Sequence, residues 1–207
     1  MKIAIINYGM GNLGSVRRSL ENLGADVIIA ERPIQLLDAN RIILPGVGSF
    51  GEGMKKLSDE GWIESLQIQV MEQGKPLLGI CLGMQMLSSS SEENGLNEGL
   101  NFISGKVLRL DQLGCSLRIP HIGWNEVNYQ ESTPLFNDIP QAIDFYFVHS
   151  YAFTADDPNN VIATSAYDIS ITAAVCKKHI FGTQFHPEKS SKAGQKILKN
   201  FIEFAPC

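Results

Sequence analysis

The segment Pro76-Leu77-Leu78-Gly79-Ile80-Cys81-Leu82-Gly83-Met84-Gln85 decides how the chain is read. Pro76–Ile80 is a continuous apolar run, the pattern of a strand covered on both faces. The residues after Cys81 predict a helix running to about Ser88. A cysteine at that junction, with Gly79 two residues before it and Gly83 two after, has the Gly-x-nucleophile-x-Gly form of a sharp strand-to-helix turn. The glycines relieve crowding around a strained backbone, and a helix N-terminus directed at a thiol favours the reactive thiolate. A free cysteine more often packs as a small apolar side chain. Here both glycines and the strand-helix context select the nucleophile.

Upstream, Lys2–Ile6, Asp26–Ala30 and Arg41–Leu44 read as short strands, Ser15–Leu23 as a helix, and Glu52–Gln73 as helical with a break near Gly61. Such alternation predicts a parallel sheet flanked by helices. Downstream, Ser88–Asn97 is polar and reads as an exposed loop. Strand-like segments follow at Ile103–Leu110, His121–Tyr129, Ile143–Tyr151, Val161–Ala166, Ile169–Cys176 and His179–Phe185, before a final helix over Gln195–Phe204. The expected fold is α/β, with a mostly parallel central sheet flanked by helices and an additional antiparallel sheet in the second half. Without repeats, low-complexity tracts or linkers, residues 1–207 are expected to form a single domain.

Of the 207 residues 44% are hydrophobic, enough for a full core, and the net charge is −5. The basic residues cluster only as pairs such as Lys55-Lys56 and Lys177-Lys178, which disfavours a phosphate-tracking nucleic-acid surface. No apolar stretch approaches the ~18 residues of a membrane span. The first apolar run breaks at Asn7, too early for a secretory leader. Cys81, Cys115, Cys176 and Cys207 lack paired C-x-x-C spacing, so neither a zinc site nor a disulfide framework is expected. The natural compartment is a reducing cytoplasm, and no metal or cofactor is called for.

A cysteine nucleophile needs a proton-transfer partner. Among His121, His149, His179 and His186, the last stands out in Gly182-Thr183-Gln184-Phe185-His186-Pro187-Glu188. It follows an apolar strand, Pro187 fixes the turn, and Glu188 is placed to orient the imidazole as in nucleophile triads generally. His121 and His149 read as structural histidines, and His179, beside Lys177-Lys178, as a solvated turn. The loop Leu44-Pro45-Gly46-Val47-Gly48-Ser49-Phe50-Gly51 offers backbone N–H groups which, with that of Leu82, form a candidate oxyanion hole. Gly9-Met10-Gly11-Asn12-Leu13-Gly14 matches G-x-G-x-x-G, and Glu31 lies near the distance of the acidic partner in a dinucleotide site. That reading leaves the cysteine, histidine and glutamate unexplained and ranks low.

With Pro45-Gly46-Val47-Gly48, Gly79-Ile80-Cys81-Leu82-Gly83-Met84-Gln85 and Gln184-Phe185-His186-Pro187-Glu188 in this order, the chain resembles the triad (class I) glutamine amidotransferases over essentially its whole length. Asn7–Asn12, Pro120-His121-Ile122-Gly123-Trp124-Asn125, Tyr146–Tyr151 and Lys189-Ser190 extend the likeness to those that supply ammonia to imidazole glycerol phosphate synthesis. The resemblance implies hydrolysis of L-glutamine to glutamate and ammonia through a thioester on Cys81, with His186 and Glu188 completing the triad. It also implies Gly46, Val47 and Leu82 at the oxyanion and Gly48, Gln85, Ser150 and Tyr151 around glutamine, with His149 in support. Trp124, Tyr146 and Lys189 match positions used near a (β/α)8-barrel cyclase subunit, the heterodimeric partner that receives ammonia. Ammonia released into water is protonated and lost, so a coupled acceptor is expected on chemical grounds as well. The family often carries Gly-Leu-Gly where this chain has Gly99-Leu100-Asn101. Alternatives are a relative feeding another acceptor, such as surface-sugar amidination, and a stand-alone cysteine hydrolase.

Overall fold

A computed structural model describes residues 1–131 and 133–205; Ser132, Pro206 and Cys207, the last among the cysteines considered above, lie outside it. Among the described residues, nine strands form one mixed sheet in the order Asp26–Ala30, Lys2–Ile6, Arg41–Gly46, Leu77–Cys81, Ile180–Thr183, Ile169–Lys177, Val161–Tyr167, His121–Tyr129 and Ile143–His149. The first five run parallel. The remaining four extend the same sheet in antiparallel pairing. A second sheet joins Tyr151–Ala155, Gly105–Arg109, Ser90–Ser91 and Asn97–Glu98. The α/β class expected from the alternation is the one observed.

Alternation along the parallel strands divides the core between the two sheet faces. Ile3 and Ile5 pack with Val16 and Leu20 of the helix Leu13–Glu21 and with Ile197, Leu198 and Phe201 of the helix Ser191–Glu203. Ala4 and Ile6 belong to the cluster that holds Phe50, Met54 and Leu57 of the helix Phe50–Asp59 and Trp62 and Leu66 of the helix Trp62–Leu66. Leu77–Cys81, buried throughout, lies between neighbours on both edges, as its unbroken apolar run requires. The carboxyl ends of these strands bring Tyr8, Gly46, Cys81 and Gln184 to one edge of the sheet, where open α/β sheets bind ligands.

Four local readings are corrected. The helix after Cys81 stops at Gln85, because the Met86, Leu87 and Ser88 carbonyls accept from the N–H groups of Leu100, Phe102 and Asn101 instead of continuing a helical ladder. The segment Ser88–Asn97 is not a free polar loop: Ser88 and Ser91 are fully buried, and Glu93 Oε2 accepts from Phe50 N–H at 2.7 Å. The single strand expected over Ile143–Tyr151 breaks at Ser150, where the chain leaves the large sheet for the small one. His179 is anchored rather than solvated, with Nε2 2.8 Å from the Val70 carbonyl. The helical stretch Glu52–Gln73 does break at Gly61, which takes φ 75°; it then resumes and ends as a π-helix over Gln67–Glu72. Asn101 stands at φ 54°, a left-handed position that asparagine tolerates.

Candidate active site

Cys81 has φ 54° and ψ −109°. A non-glycine residue holds such a conformation at a cost of roughly 1–3 kcal/mol, and only where its surroundings over-determine it. Those surroundings are tight. A Cβ on Gly83 would lie 1.8 Å from the Leu44 carbonyl oxygen, and one on Gly79 would lie 2.6 Å from that of Gly83. Only glycine permits the elbow to close against the neighbouring strand, whose Gly46 is in register with Cys81.

His186 and Glu188 follow the strand Ile180–Thr183, and their side chains are 3% and 1% exposed. Nδ1 of His186 lies 2.8 Å from Glu188 Oε1, so the carboxylate holds the proton on Nδ1. Nε2 of His186 and Oε2 of Glu188 have no hydrogen-bond partner among the described residues. Burial alone would lower the imidazole pKa, but the neighbouring Cys81 sulfur and the Glu188 carboxylate outweigh it and raise it to about 9.

Cys81 and His186 open onto a cavity of about 400 Å³, whose wall also includes Val47, Gly48, Leu82, Gln85, Ser150 and Tyr151. Of the residues expected around glutamine, all four are therefore present. Of the expected oxyanion set, Val47 and Leu82 reach the wall, and Gly46 lies beside Cys81 in the adjacent strand. Both N–H groups of Gln85 are engaged, its nitrogen lying 2.9 Å from the Tyr151 carbonyl and 3.0 Å from Gln184 Oε1. Its Oε1 is the atom left to face a ligand.

The glycine-rich start of the chain supports this cavity instead of cradling a phosphate. Tyr8 donates its hydroxyl proton to the Pro45 carbonyl at 2.9 Å, and burial, then the Cys81 charge, push its phenol pKa upward. Met10 lies under Gly48, where a Cβ would come within 2.7 Å of its Cε. Glu31, the acidic residue of the dinucleotide reading, accepts from Asn7 Nδ2 at 2.8 Å.

A buried pair of histidines stands beside the cavity, His149 on its wall and His121 behind it. Nδ1 of His149 lies 2.8 Å from the Tyr151 carbonyl, which can only accept. Nε2 of His149 must then accept from Nδ1 of His121, 3.0 Å away. Nε2 of His121 accepts in turn from Asn125 Nδ2 at 3.3 Å, and that amide is oriented by a 2.8 Å bond to the Ala166 carbonyl. Each ring is fixed as one neutral tautomer. Desolvation lowers His149 to about 3 and His121 to about 4.

Trp124, Tyr146 and Lys189 do not line the cavity, but the structure brings them together beside it. Trp124 pairs with Tyr146 across adjacent strands, their rings 6.1 Å apart, and Lys189 Nζ lies 5.7 Å from the Tyr146 ring centre. Ile122 and Trp124, 60% and 51% exposed, alternate onto one strand face and leave an apolar patch there.

Two residues at the site escape the sequence reading. Glu93 lines the cavity from within the segment read as exposed. Gln184 places Nε2 3.7 Å from Cys81 Sγ, although the motif containing it draws attention for its histidine.

The structure thus brings an elbow cysteine, a carboxylate-backed histidine and a glycine-rich strand end together at one edge of this sheet. The sequence matches the class-I glutamine amidotransferase family over residues 4–204, and the chain belongs to that family. Within it, the chain is 48% identical over 200 residues to imidazole glycerol phosphate synthase subunit HisH 1 of Campylobacter jejuni (strain RM1221), covering 97% of this chain and 98% of the relative. To the HisH subunit of Geobacter sulfurreducens it is 44% identical, covering 98% of each chain. To that of Bacillus subtilis (strain 168) it is 43% identical, covering 98% and 96%. Likeness of that depth over nearly the full length makes the chain a member of the imidazole glycerol phosphate synthase HisH subunits of histidine biosynthesis. Solved structures share the fold at lower identity. A GMP synthase component from Thermoplasma acidophilum superposes with a TM-score of 0.74 at 24% identity, covering 98% of this chain and 92% of its own. The PurLQS structure from Thermotoga maritima gives 0.69 at 21% identity, covering 97% of each.

Proposed function

We propose that Cys81, His186 and Glu188 hydrolyse L-glutamine and that the ammonia passes to a (β/α)8-barrel cyclase partner in a cytoplasmic heterodimer. The observation that carries the chemistry is the strained Cys81 beside a buried imidazole whose Nε2 is unpartnered and whose Nδ1 is held by Glu188. Cys81 and His186 share one proton, which rests on His186 Nε2 in a thiolate–imidazolium pair, and the thiolate attacks the side-chain amide carbon of glutamine. The N–H groups of Val47 and Leu82, with the strand at Gly46, receive the oxyanion. His186 then gives its proton to the departing nitrogen, releasing ammonia and leaving a thioester. Water attacks that thioester, His186 takes a proton from it, and glutamate leaves with the thiolate restored.

Gly48, Gln85, Ser150 and Tyr151 enclose the amino-acid end of the substrate. Glu93 supplies the carboxylate for its α-ammonium group, a role supported by its place on the cavity wall. The whole chain serves as one glutamine amidotransferase domain. Trp124, Tyr146 and Lys189 with Ile122 form the docking face, a reading supported by the apolar exposure next to His186. No helix among the described residues is long and apolar enough to cross a membrane.

The test is glutamate release by the chain alone, with the cyclase, and with the cyclase and its nucleotide ligand. Turnover is expected to rise at each step, and Cys81→Ala to remove it in all three. Survival of hydrolysis in Cys81→Ala sinks the nucleophile assignment, and equal high turnover without the cyclase sinks the coupling.

A further inference from the structure

Gln184 is fully buried on the strand end that leads to His186, and its carboxamide has only one orientation. The Tyr151 carbonyl can only accept, so the Gln85 atom 2.9 Å from it is the amide nitrogen. That nitrogen's second N–H meets Gln184 at 3.0 Å, which requires Oε1 there and turns Gln184 Nε2 toward Cys81 Sγ, 3.7 Å away. Besides His186, the sulfur meets the Val148 carbonyl at 3.9 Å. These two partners suit opposite states of the sulfur. The carbonyl can only accept from a thiol S–H, whereas the amide N–H can only donate and gains strength once the sulfur is charged.

We propose that Gln184 is a catalytic residue that donates a hydrogen bond to the Cys81 sulfur and stabilises the thiolate that attacks the substrate. With the proton on His186 Nε2, the contact to Val148 is lost and the Gln184 bond remains as the compensation for a charge in a buried site. Its aim is secured remotely. Gln85 holds Oε1, the Tyr151 carbonyl holds Gln85, and the neutral His149 donates to the same carbonyl. The titratable groups around the sulfur are His186 with Glu188 behind it, Tyr8 beneath the neighbouring strand, and His149 and Glu93 on the cavity wall.

The proposal rests on Cys81 being the glutaminase nucleophile, and its test separates the two. Gln184→Glu keeps an acceptor for Gln85 while replacing the N–H donor by a carboxylate oxygen. Gln184→Met removes both without adding charge, and serves if the first variant fails to fold by circular dichroism. Alkylation of Cys81 by iodoacetamide is followed across pH by peptide mass mapping, which separates it from the other cysteines. A hydrogen bond to a charged group supports a rate loss of about tenfold or more at neutral pH, with the alkylation profile displaced to higher pH. The kcat for glutamine hydrolysis in the cyclase complex falls in step while KM changes little. Wild-type alkylation rates and profile in a folded variant overturn the proposal, and so does a rise confined to KM, which would make Gln184 only a brace for Gln85. If wild-type chain alkylates at Cys81 but hydrolyses no glutamine, the proposed function fails while the alkylation profiles still decide the role of Gln184.

Discussion

His186 and His149 line the same cavity and are both buried, yet their surroundings drive them to opposite states. Burial depresses each imidazole, so burial is not what separates them. His186 meets a carboxylate at one nitrogen and the Cys81 sulfur near the other, both of which favour a second proton. His149 meets a carbonyl at one nitrogen and the N–H of another imidazole at the other, and a second proton has nowhere to go. Hydrogen-bond partners, more than depth, thus assign one histidine to proton transfer and the other to holding the wall.

The contrast breaks most visibly at Glu188. Glu188→Gln preserves an oxygen for Nδ1–H but removes the charge that keeps His186 protonated. A kcat loss of about 10²-fold is expected, smaller than in serine triads because a thiolate is intrinsically nucleophilic. In the wild type, activity should fall as pH rises through about 9, where His186 loses the proton that ammonia departure needs. In Glu188→Gln that alkaline limb moves toward the ordinary histidine range, which a pH profile of kcat measures.

The next effect is on stability and has opposite sign at the two sites. His186 binds its proton more tightly folded than unfolded. Its contribution is complete below about pH 6.5 and disappears as pH rises toward 9. His149 refuses a proton that the unfolded chain accepts below about pH 6.5, so stability falls as pH drops from there toward 3. At pH 5 this amounts to about 2 kcal/mol from His149. Urea denaturation at pH 7 and pH 5 should show a loss in the wild type, to which the buried neutral His121 adds its own share, and His149→Gln should reduce it. An unchanged slope in the variant would mean that His149 titrates normally.

The sequence disclosed those parts of the site whose chemistry is local. Gly79, Cys81 and Gly83 sit within five residues because one turn must pass beneath the Leu44 carbonyl, and His186 and Glu188 are two apart because a tight turn lets them bond. Glu93 was hidden because its position depends on Gly99–Ile103 folding back onto the carbonyls after Gln85, a pairing with no sequence period. Ser150 reads as strand interior because apolar residues continue on both sides while the hydrogen-bonding partner changes from His121–Val127 to Gly105–Arg109. Gln184 was visible but mute. Only the orientation passed down from Tyr151 through Gln85 shows that its nitrogen faces sulfur.

The smallest effect sharpens the contrast at the far end of the neutral pair. Asn125 donates to the Ala166 carbonyl and to His121 Nε2, so a proton on that nitrogen, already disfavoured by burial, would also face the amide N–H. Asn125→Ala leaves both acceptors without this donor, for an expected loss of about 1 kcal/mol at pH 7. With Nε2 free to accept a proton, His121 becomes easier to charge, so less of the folded state's disadvantage below pH 6.5 remains. The variant should therefore start less stable than wild type and lose less on going to pH 5, its denaturation midpoints converging with those of wild type in acid. If the two curves stay parallel, Asn125 contributes only its bond to Ala166, and the neutrality of the pair comes from the contact between the rings and their burial alone.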